Sequence, residues 1–173
     1  DKSGEFTMDN STGNIEFNHV DFSYIPGKQV LHDFNLKVKA GQKVALVGST
    51  GSGKTTVVNL LMRFYDIDNG SITIDGVNIK DIDCENLRKN TAIVLQDTVL
   101  FADTVKNNLL YSRQDATDTE IIAAAKKANC HNMIMHLPDG YDSMLAKDGQ
   151  NLSQGQRQLL SIARAFVASP KIL

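Results

Sequence analysis

The sequence predicts an α/β fold with a largely parallel core sheet, and three features support this prediction. Short apolar runs at residues 44–47 and 91–95 are typical of parallel strands that are buried on both faces. A glycine-rich loop and an amphipathic helix follow the first run without a gap. Residues 117–168 have the apolar spacing of helices. We therefore expect a sheet domain that is joined to a helical part.

The loop at residues 48–55 reads Gly-Ser-Thr-Gly-Ser-Gly-Lys-Thr and matches the phosphate-binding pattern G-x-x-x-x-G-K-S/T. Its glycines permit backbone angles that let successive N–H groups surround an anion. Lys54 would place a positive charge on the β- and γ-phosphates, and the Thr55 hydroxyl would ligate Mg²⁺. A plain glycine-rich turn before a helix is the alternative, but the flanking strand and helix favour a P-loop NTPase. The expected nucleotide contacts are Ser49, Thr50, Gly51, Ser52, Gly53, Lys54, Thr55 and Thr56.

Composition limits the functional classes. The 173 residues suit one domain with at most a small subdomain, and a hydrophobic share of 42% is enough for a core. A net charge of −2 does not indicate a nucleic-acid surface, so no nucleic-acid partner is expected. The apolar stretches are too short for a membrane span. Cys84 and Cys130 stand in unrelated contexts, which indicates reduced thiols of a cytosolic protein.

The N-terminal part predicts a linker followed by antiparallel strands. Residues 1–14 are polar throughout and indicate a linker. Residues 15–24 alternate between apolar and polar, with one change of phase near His19 that a β-bulge would explain. Residues 30–38 indicate a second strand, and the Asp-Gly pair at 75–76 predicts a hairpin between two short apolar runs.

Two capping boxes predict helix starts in the second half of the chain. Thr117 with Glu120 begins one helix, and Ser153 with Gln156 begins another. The helix after the P-loop is expected to bury Val57, Leu60, Leu61 and Phe64, and the last helix to present Leu159, Ile162, Ala163 and Phe166 on one face. Residues 171–173 resemble the start of a further strand.

A second anion site is predicted at residues 152–156, which read Leu-Ser-Gln-Gly-Gln. A helix N-terminus with a serine hydroxyl and a glycine can bind an anion, although a well-capped helix would have the same residues. The strand predicted at residues 91–95 places Gln96 at its carboxyl end, where open α/β sheets bind ligands.

The order of P-loop, glutamine and L-S-x-G-Q resembles the nucleotide-binding domain of ABC transporters, from about residue 15 to 173. Three stretches resemble the exporter branch most: Val20-Asp21-Phe22-Ser23-Tyr24, Phe64-Tyr65-Asp66 and Thr98-Val99-Leu100-Phe101.

The resemblance implies a RecA-like parallel core with an antiparallel β subdomain and an α-helical signature subdomain at about residues 103–168. It implies ATP and Mg²⁺ as cofactors. Tyr24 matches the aromatic residue that stacks on adenine, and such stacking is worth roughly 1–3 kcal/mol. Gln96 matches the glutamine that reaches Mg²⁺ and the attacking water, so Lys54 and Gln96 are the expected catalytic residues. Ser153, Gly155 and Gln156 match the signature motif, which caps the γ-phosphate of ATP held by the opposite subunit.

The partners follow from the same resemblance. A head-to-tail dimer with a second nucleotide-binding domain, identical or not, would enclose two ATP molecules and power export across a membrane. Transmembrane domains would precede residue 1 and contact the segment after Gln96, with this domain on the cytoplasmic face. Two alternatives remain: a soluble ABC-type ATPase of repair or translation, and a regulatory domain without turnover. The stretch between Gln96 and Leu152 is too short for the coiled coils of members that act on DNA ends.

The sequence departs from the family pattern at three points. Gln154 replaces the second signature glycine, and Lys147 replaces an acidic residue just before the signature. One hypothesis is that the chain pairs with a non-identical partner and contributes its signature motif to the weaker of two ATP sites. The alternative is that glutamine is simply tolerated at position 154. The family's next strand carries an aspartate that orients Mg²⁺ and the catalytic glutamate, and neither is present up to Leu173. We therefore expect the polypeptide to continue, and residues 1–173 to bind nucleotide but to hydrolyse it poorly.

Overall fold

The structure, a computed structural model, describes residues 4–95 and 98–173. The chain folds as two compact units. The first extends to Thr91 and includes Ile172, and the second runs from Ala92 to Lys171 and includes Leu173. Each unit has its own buried apolar cluster, with Phe17 and Leu60 in the first and Leu109 and Ile134 in the second.

The first unit contains a four-stranded sheet with the strand order β2-β1-β3-β4, and each pair of neighbours is antiparallel. Its strands are β1 (Ile15–Ile25), β2 (Lys28–Val38), β3 (Asn69–Ile74) and β4 (Val77–Asn78), and its helices are α1 (Lys54–Leu61) and α2 (Cys84–Lys89). The bulge predicted near His19 is confirmed, because the register of β1 against β2 shifts between Phe17 and Val20. His19 and Asp33 both have positive φ angles, and their side chains pair at 2.6 Å.

The predicted hairpin is confirmed, and its turn also binds the N-terminal segment. Asp75 and Gly76 have φ angles of +49° and +83°, as a type I′ turn requires. The Asp75 carboxylate accepts hydrogen bonds from the backbone N–H groups of Thr12, Gly13 and Asn14 and from the hydroxyls of Ser11 and Thr12, at 2.5–3.1 Å. Burial raises the pKa of this carboxyl, but the hydrogen bonds outweigh burial and hold the pKa well below its usual range.

The linker prediction for residues 1–14 needs correction, because residues 4–14 belong to the folded first unit. Phe6 forms a parallel bridge with Ile82. Met8 is only 2% exposed, and its N–H donates to Asn86 Oδ1 at 2.6 Å. The polar residues around these two apolar side chains dominate the composition of the segment, and therefore hid its contribution to the core.

The two predicted core strands at residues 44–47 and 91–95 are not formed as strands. Within the described ranges, the pairing in these runs and at residues 171–173 is limited to an isolated parallel bridge between Thr91 and Ile172. Val47 is 94% exposed and Leu95 is 57% exposed. A parallel strand is held by backbone hydrogen bonds to neighbouring strands, so an apolar run without such neighbours keeps its side chains at the surface.

The second unit is helical, and both predicted capping boxes are confirmed. Its helices are α3 (Val105–Leu110), α4 (Asp118–Lys127), α5 (His131–Met135) and α6 (Gln154–Val167), with short 3₁₀ turns at Gly140–Asp142 and Lys147–Gly149. At the start of α4, hydrogen bonds from the Thr117 backbone, Arg113 and the Thr117 hydroxyl lower the pKa of Glu120 to about 2. Helix α3 lies in a stretch, residues 97–113, whose sequence has no clear period and therefore predicts no helix. The Thr104 hydroxyl caps α3 by accepting a hydrogen bond from Asn107 N–H.

Two predicted apolar faces need correction. Helix α6 buries Leu160, Ala163 and Val167, whereas Leu159, Ile162 and Phe166 are only partly buried. Helix α1 buries Val57 and Leu60, but it ends at Leu61, and Phe64 lies beyond it at the surface. In the part of the chain that the structure describes, no helix combines the length and apolar character that crossing a membrane requires.

We predict that Asp75→Ala lowers the free energy of unfolding by about 2 kcal/mol, since hydrogen bonds to a charged group contribute about 1.5–3 kcal/mol. Residues 4–14 should also become sensitive to limited proteolysis. Chemical denaturation checks the first effect, and Asp66→Ala, at an exposed aspartate of the same unit, is the control. Equal stability of the two variants would mean that Asp75 does not fasten the N-terminal segment.

Candidate nucleotide-binding site

The loop before α1 adopts the backbone geometry of an anion cradle. Gly51 and Gly53 have φ angles of +84° and +90°, in the left-handed region that glycine enters without steric cost. Gly53 is the N-cap of α1, and as a glycine it supplies no side-chain cap. The first N–H groups of a helix have no intrahelical acceptor, and they give this helix end a partial positive charge.

Lys54 adds a full positive charge inside the same loop. Its Nζ donates to the carbonyl oxygens of Gly48 and Ser49 at 2.7 and 2.6 Å, and lies 3.4 Å from Ser52 Oγ. Among residues 4–95 and 98–173, no carboxylate lies within ion-pair distance of this ammonium. Among the described residues, the acceptors of this ammonium are neutral oxygens. A phosphate would replace them with a stronger, charged acceptor.

Two glycines of the loop have little room for a side chain. A Cβ on Gly48 would lie 2.5 Å from Ser52 Oγ, and one on Gly53 would lie 2.8 Å from Leu31 Cδ2. Thr55 is exposed at the start of α1, where its hydroxyl is accessible to a metal ion, whereas Thr56 is buried. A glycine-rich turn and an accessible threonine hydroxyl are the features that a P-loop uses to bind nucleotide phosphates.

Tyr24 lies at the end of β1 and contacts the P-loop helix. Its hydroxyl is 3.1 Å from Thr56 Oγ1 and 3.5 Å from Asn59 Nδ2. The residue remains 44% exposed. The structure thus brings together two of the predicted contact residues, Tyr24 and Thr56, and leaves part of the tyrosine ring open to a ligand.

Sequence reasoning missed the aromatic residues that surround Tyr24. The rings of Phe22 and Tyr65 lie 4.8 and 5.0 Å from it, both nearly perpendicular to it. Phe22 and Tyr65 are themselves 5.8 Å apart. The available signal is the aromatic pair at residues 64–65, shortly after the P-loop helix.

The signature residues form the exposed start of α6 in the second unit. Ser153 Oγ accepts from Gln156 N–H at 3.2 Å, and Gln156 Oε1 accepts from Ser153 N–H at 2.8 Å. The serine hydroxyl proton is not used in this pair and remains a donor. Gly155 faces open space, and both it and Gln154 are exposed. A partner could therefore reach this helix start.

Gln96 lies outside the described residues, and its predicted role therefore stays a prediction. Residues 99–101 are fixed within the second unit. Leu100 is buried there, and the Asn108 side chain binds both the N–H and the carbonyl of Phe101. Arg164 donates to Val99 O at 2.9 Å and lies near the Phe101 ring. Burial lowers the pKa of Arg164.

These features define an α/β protein with a P-loop and a separate helical unit that carries a capped signature helix. The ABC transporter family matches residues 31–173, and the chain belongs to this family. The resemblance and the P-loop NTPase fold class are thereby confirmed.

Several curated proteins are similar to the chain. One is an uncharacterized ABC transporter ATP-binding protein, YfiC of Bacillus subtilis, with 52% identity over 94% of this chain. Another is a fatty acid ABC transporter ATP-binding/permease protein of Mycobacterium bovis, with 47% identity over 96%. The chain spans only 27% and 26% of their respective lengths.

A solved structure is similar over nearly the whole chain. It is described as a bacterial Atm1-family ABC exporter with ATP bound. The TM-score is 0.89 at 40% identity, and the match covers 98% of this chain and 29% of the exporter chain. The backbone of this chain is therefore closely similar to one part of that exporter.

We predict that Gly53→Ala destabilises the protein more than Gly51→Ala. Both glycines have positive φ, so both substitutions introduce backbone strain of roughly 1–2 kcal/mol. Only the methyl group at position 53 would also meet Leu31, which is buried in the core, whereas position 51 faces open space. We expect an additional loss of about 1 kcal/mol in the free energy of unfolding, measured by urea titration. Equal losses in the two variants would show that contact with Leu31 does not destabilise the Gly53→Ala protein.

Proposed function

We propose that this chain is the ATP-binding and ATP-hydrolysing domain of an ABC exporter and that its P-loop binds the phosphates of Mg²⁺-ATP. The placement of Lys54 supports this proposal most directly, because its ammonium lies in a glycine loop with no carboxylate to neutralise it among the described residues. Binding would exchange two neutral carbonyl acceptors for charged phosphate oxygens. Such charge-assisted hydrogen bonds are about twice as strong as neutral ones.

The comparisons support the exporter assignment. The names of similar proteins include a fatty acid ABC transporter and a multidrug export ATP-binding/permease protein, YgaD of Bacillus subtilis, which is 45% identical over the whole chain. The similar solved structure is an exporter with ATP bound. The chain spans 30% of the length of YgaD, and 27% and 26% of the lengths of the two relatives described above. Transport, and attachment to the cytoplasmic face of a membrane, are therefore our proposals for the whole protein.

Each contact residue has a proposed role. Tyr24 stacks on the adenine base, and the backbone of residues 49–53 surrounds the phosphates. Lys54 neutralises charge on the β- and γ-phosphates, which is the main requirement of phosphoryl transfer. Thr55 and Gln96 ligate Mg²⁺. Among residues 4–95 and 98–173, no cluster of three or more histidine, cysteine or acidic side chains could hold a metal by itself, which is consistent with a metal bound mainly by phosphates.

The exposed signature start supports dimerisation with a second nucleotide-binding domain. Ser153, Gly155 and Gln156 would contact the γ-phosphate of ATP that the other domain holds. The closed dimer is then favoured only while the triphosphate is intact, because hydrolysis removes the contact that distinguishes closed from open. Opening of the dimer after hydrolysis would drive the transmembrane domains from one orientation to the other. Gln154 stands where the family has glycine. It would weaken one site of a dimer with a non-identical partner, or it would simply be tolerated in a dimer of identical chains.

The resemblance assigns the catalytic glutamate to a position that follows a further strand, and no residue among 1–173 matches that position. We therefore propose that residues 1–173 bind Mg²⁺-ATP but hydrolyse it slowly. A regulatory ABC domain without turnover would behave identically in this respect, and the glutamate alone distinguishes the two.

Isothermal titration of the purified protein with Mg²⁺-ATP tests the proposal. Lys54→Ala should weaken binding by about 10- to 100-fold, since it removes a hydrogen bond between charged groups worth about 1.5–3 kcal/mol. Lys39→Ala, at an exposed lysine of the same unit, is the control for net charge. Ser153→Ala should leave the affinity of the monomer unchanged. Unchanged affinity in Lys54→Ala, or equal losses in Lys39→Ala, would contradict the proposal.

A further inference from the structure

Three aromatic side chains of the first unit form a cluster next to the P-loop helix: Phe22, Tyr24 and Tyr65. Phe22 is buried, whereas Tyr24 and Tyr65 are 44% and 48% exposed. The Tyr65 ring stands at 89° to the Tyr24 ring, with the centroids 5.0 Å apart. This is the edge-to-face arrangement that aromatic pairs prefer.

The chain fixes Tyr65 in this position through an unusual bend after α1. Arg63 has a φ of +51°, a left-handed conformation that is unfavourable for a residue with a Cβ. Its guanidinium donates to the carbonyl oxygens of Ile79 and Ile82, both at 3.0 Å. The N–H of Phe64 donates to Asn59 O at 3.0 Å. These bonds stabilise the bend, and the bend brings Tyr65 back to the end of β1.

Tyr24 is thereby held at both ends of its side chain. Phe22 and Tyr65 flank its ring, and Thr56 and Asn59 hold its hydroxyl. A side chain that must be ordered on binding reduces affinity, whereas one that is already ordered does not. Locally unfavourable backbone conformations, such as that of Arg63, concentrate at ligand sites, where they hold side chains in the orientation that binding requires.

We propose that Tyr65 is a positioning residue, which holds the Tyr24 ring in the orientation that stacks on the base of a bound nucleotide. This inference rests on the proposed function. Tyr65 acts through Tyr24 and needs no contact with the nucleotide. Its removal should therefore weaken binding of the base and leave binding of the phosphates unchanged.

Titration of the purified protein with two ligands separates these effects: Mg²⁺-ATP, and inorganic tripolyphosphate with Mg²⁺, which lacks a base. Tyr65→Ala should bind ATP about two- to tenfold more weakly, the range expected for ordering one side chain. Its affinity for tripolyphosphate should equal that of the wild type. Tyr65→Phe keeps the ring and should restore the affinity for ATP. Circular dichroism checks the fold, and Tyr65→Leu replaces the alanine variant if that variant does not fold.

A double-mutant cycle with Tyr24→Ala tests whether Tyr65 acts through Tyr24. In the Tyr24→Ala background, Tyr65→Ala should cause no further loss of ATP affinity. Additive losses would overturn the inference in favour of direct contact between Tyr65 and the base. An equal loss for both ligands would overturn it in favour of a general structural role.

The outcomes also distinguish this inference from the proposed function. If the wild type binds both ligands and Tyr65→Ala is indistinguishable from it, the positioning role is wrong and the proposed function stands. If the wild type binds neither ligand, the proposed function fails, and the inference fails with it.

Discussion

The ammonium of Lys54 is held by carbonyl oxygens of its own loop, and the proposed chemistry depends on this arrangement. The arrangement requires a backbone that turns through left-handed angles at Gly51 and Gly53, so that carbonyls of residues 48 and 49 approach Nζ within 2.7 Å. Neutral oxygens stabilise the charge without neutralising it. The loop is therefore prepared for an anion, and the uncapped start of α1 adds a partial positive charge in the same place.

The surroundings of the loop keep it in this form. Gly53 lies next to Leu31 of β2, so that a Cβ at position 53 would come within 2.8 Å of Leu31 Cδ2. Thr56 and Asn59 of α1 contact the Tyr24 hydroxyl on β1. One short helix thus connects the phosphate cradle to an aromatic surface, and a base and its phosphates could bind to the same rigid element. The second unit provides a different feature, an exposed helix start whose serine retains a hydroxyl proton.

Local sequence patterns predict several features of the fold and of the candidate site. The P-loop, the bulge at His19, the turn at Asp75 and both capping boxes depend on residues close together in the sequence, where residue type and spacing determine the backbone. The failures depend on distant partners. Residues 44–47 and 91–95 have the composition of buried strands, but strand formation needs neighbours that composition cannot supply. Residues 4–14 have a polar composition, and their docking depends on Asp75 and Asn86, far along the chain. The role of Tyr65 beside Tyr24 follows from the bend at Arg63, which no sequence pattern indicated.

The most direct test of the central claim is a crystal structure of the protein with Mg²⁺-ATP. Our account predicts that Lys54 Nζ leaves the Gly48 and Ser49 carbonyl oxygens and lies about 2.7–3.2 Å from a phosphate oxygen. ATP bound elsewhere, with the ammonium still on its own loop, would contradict the account.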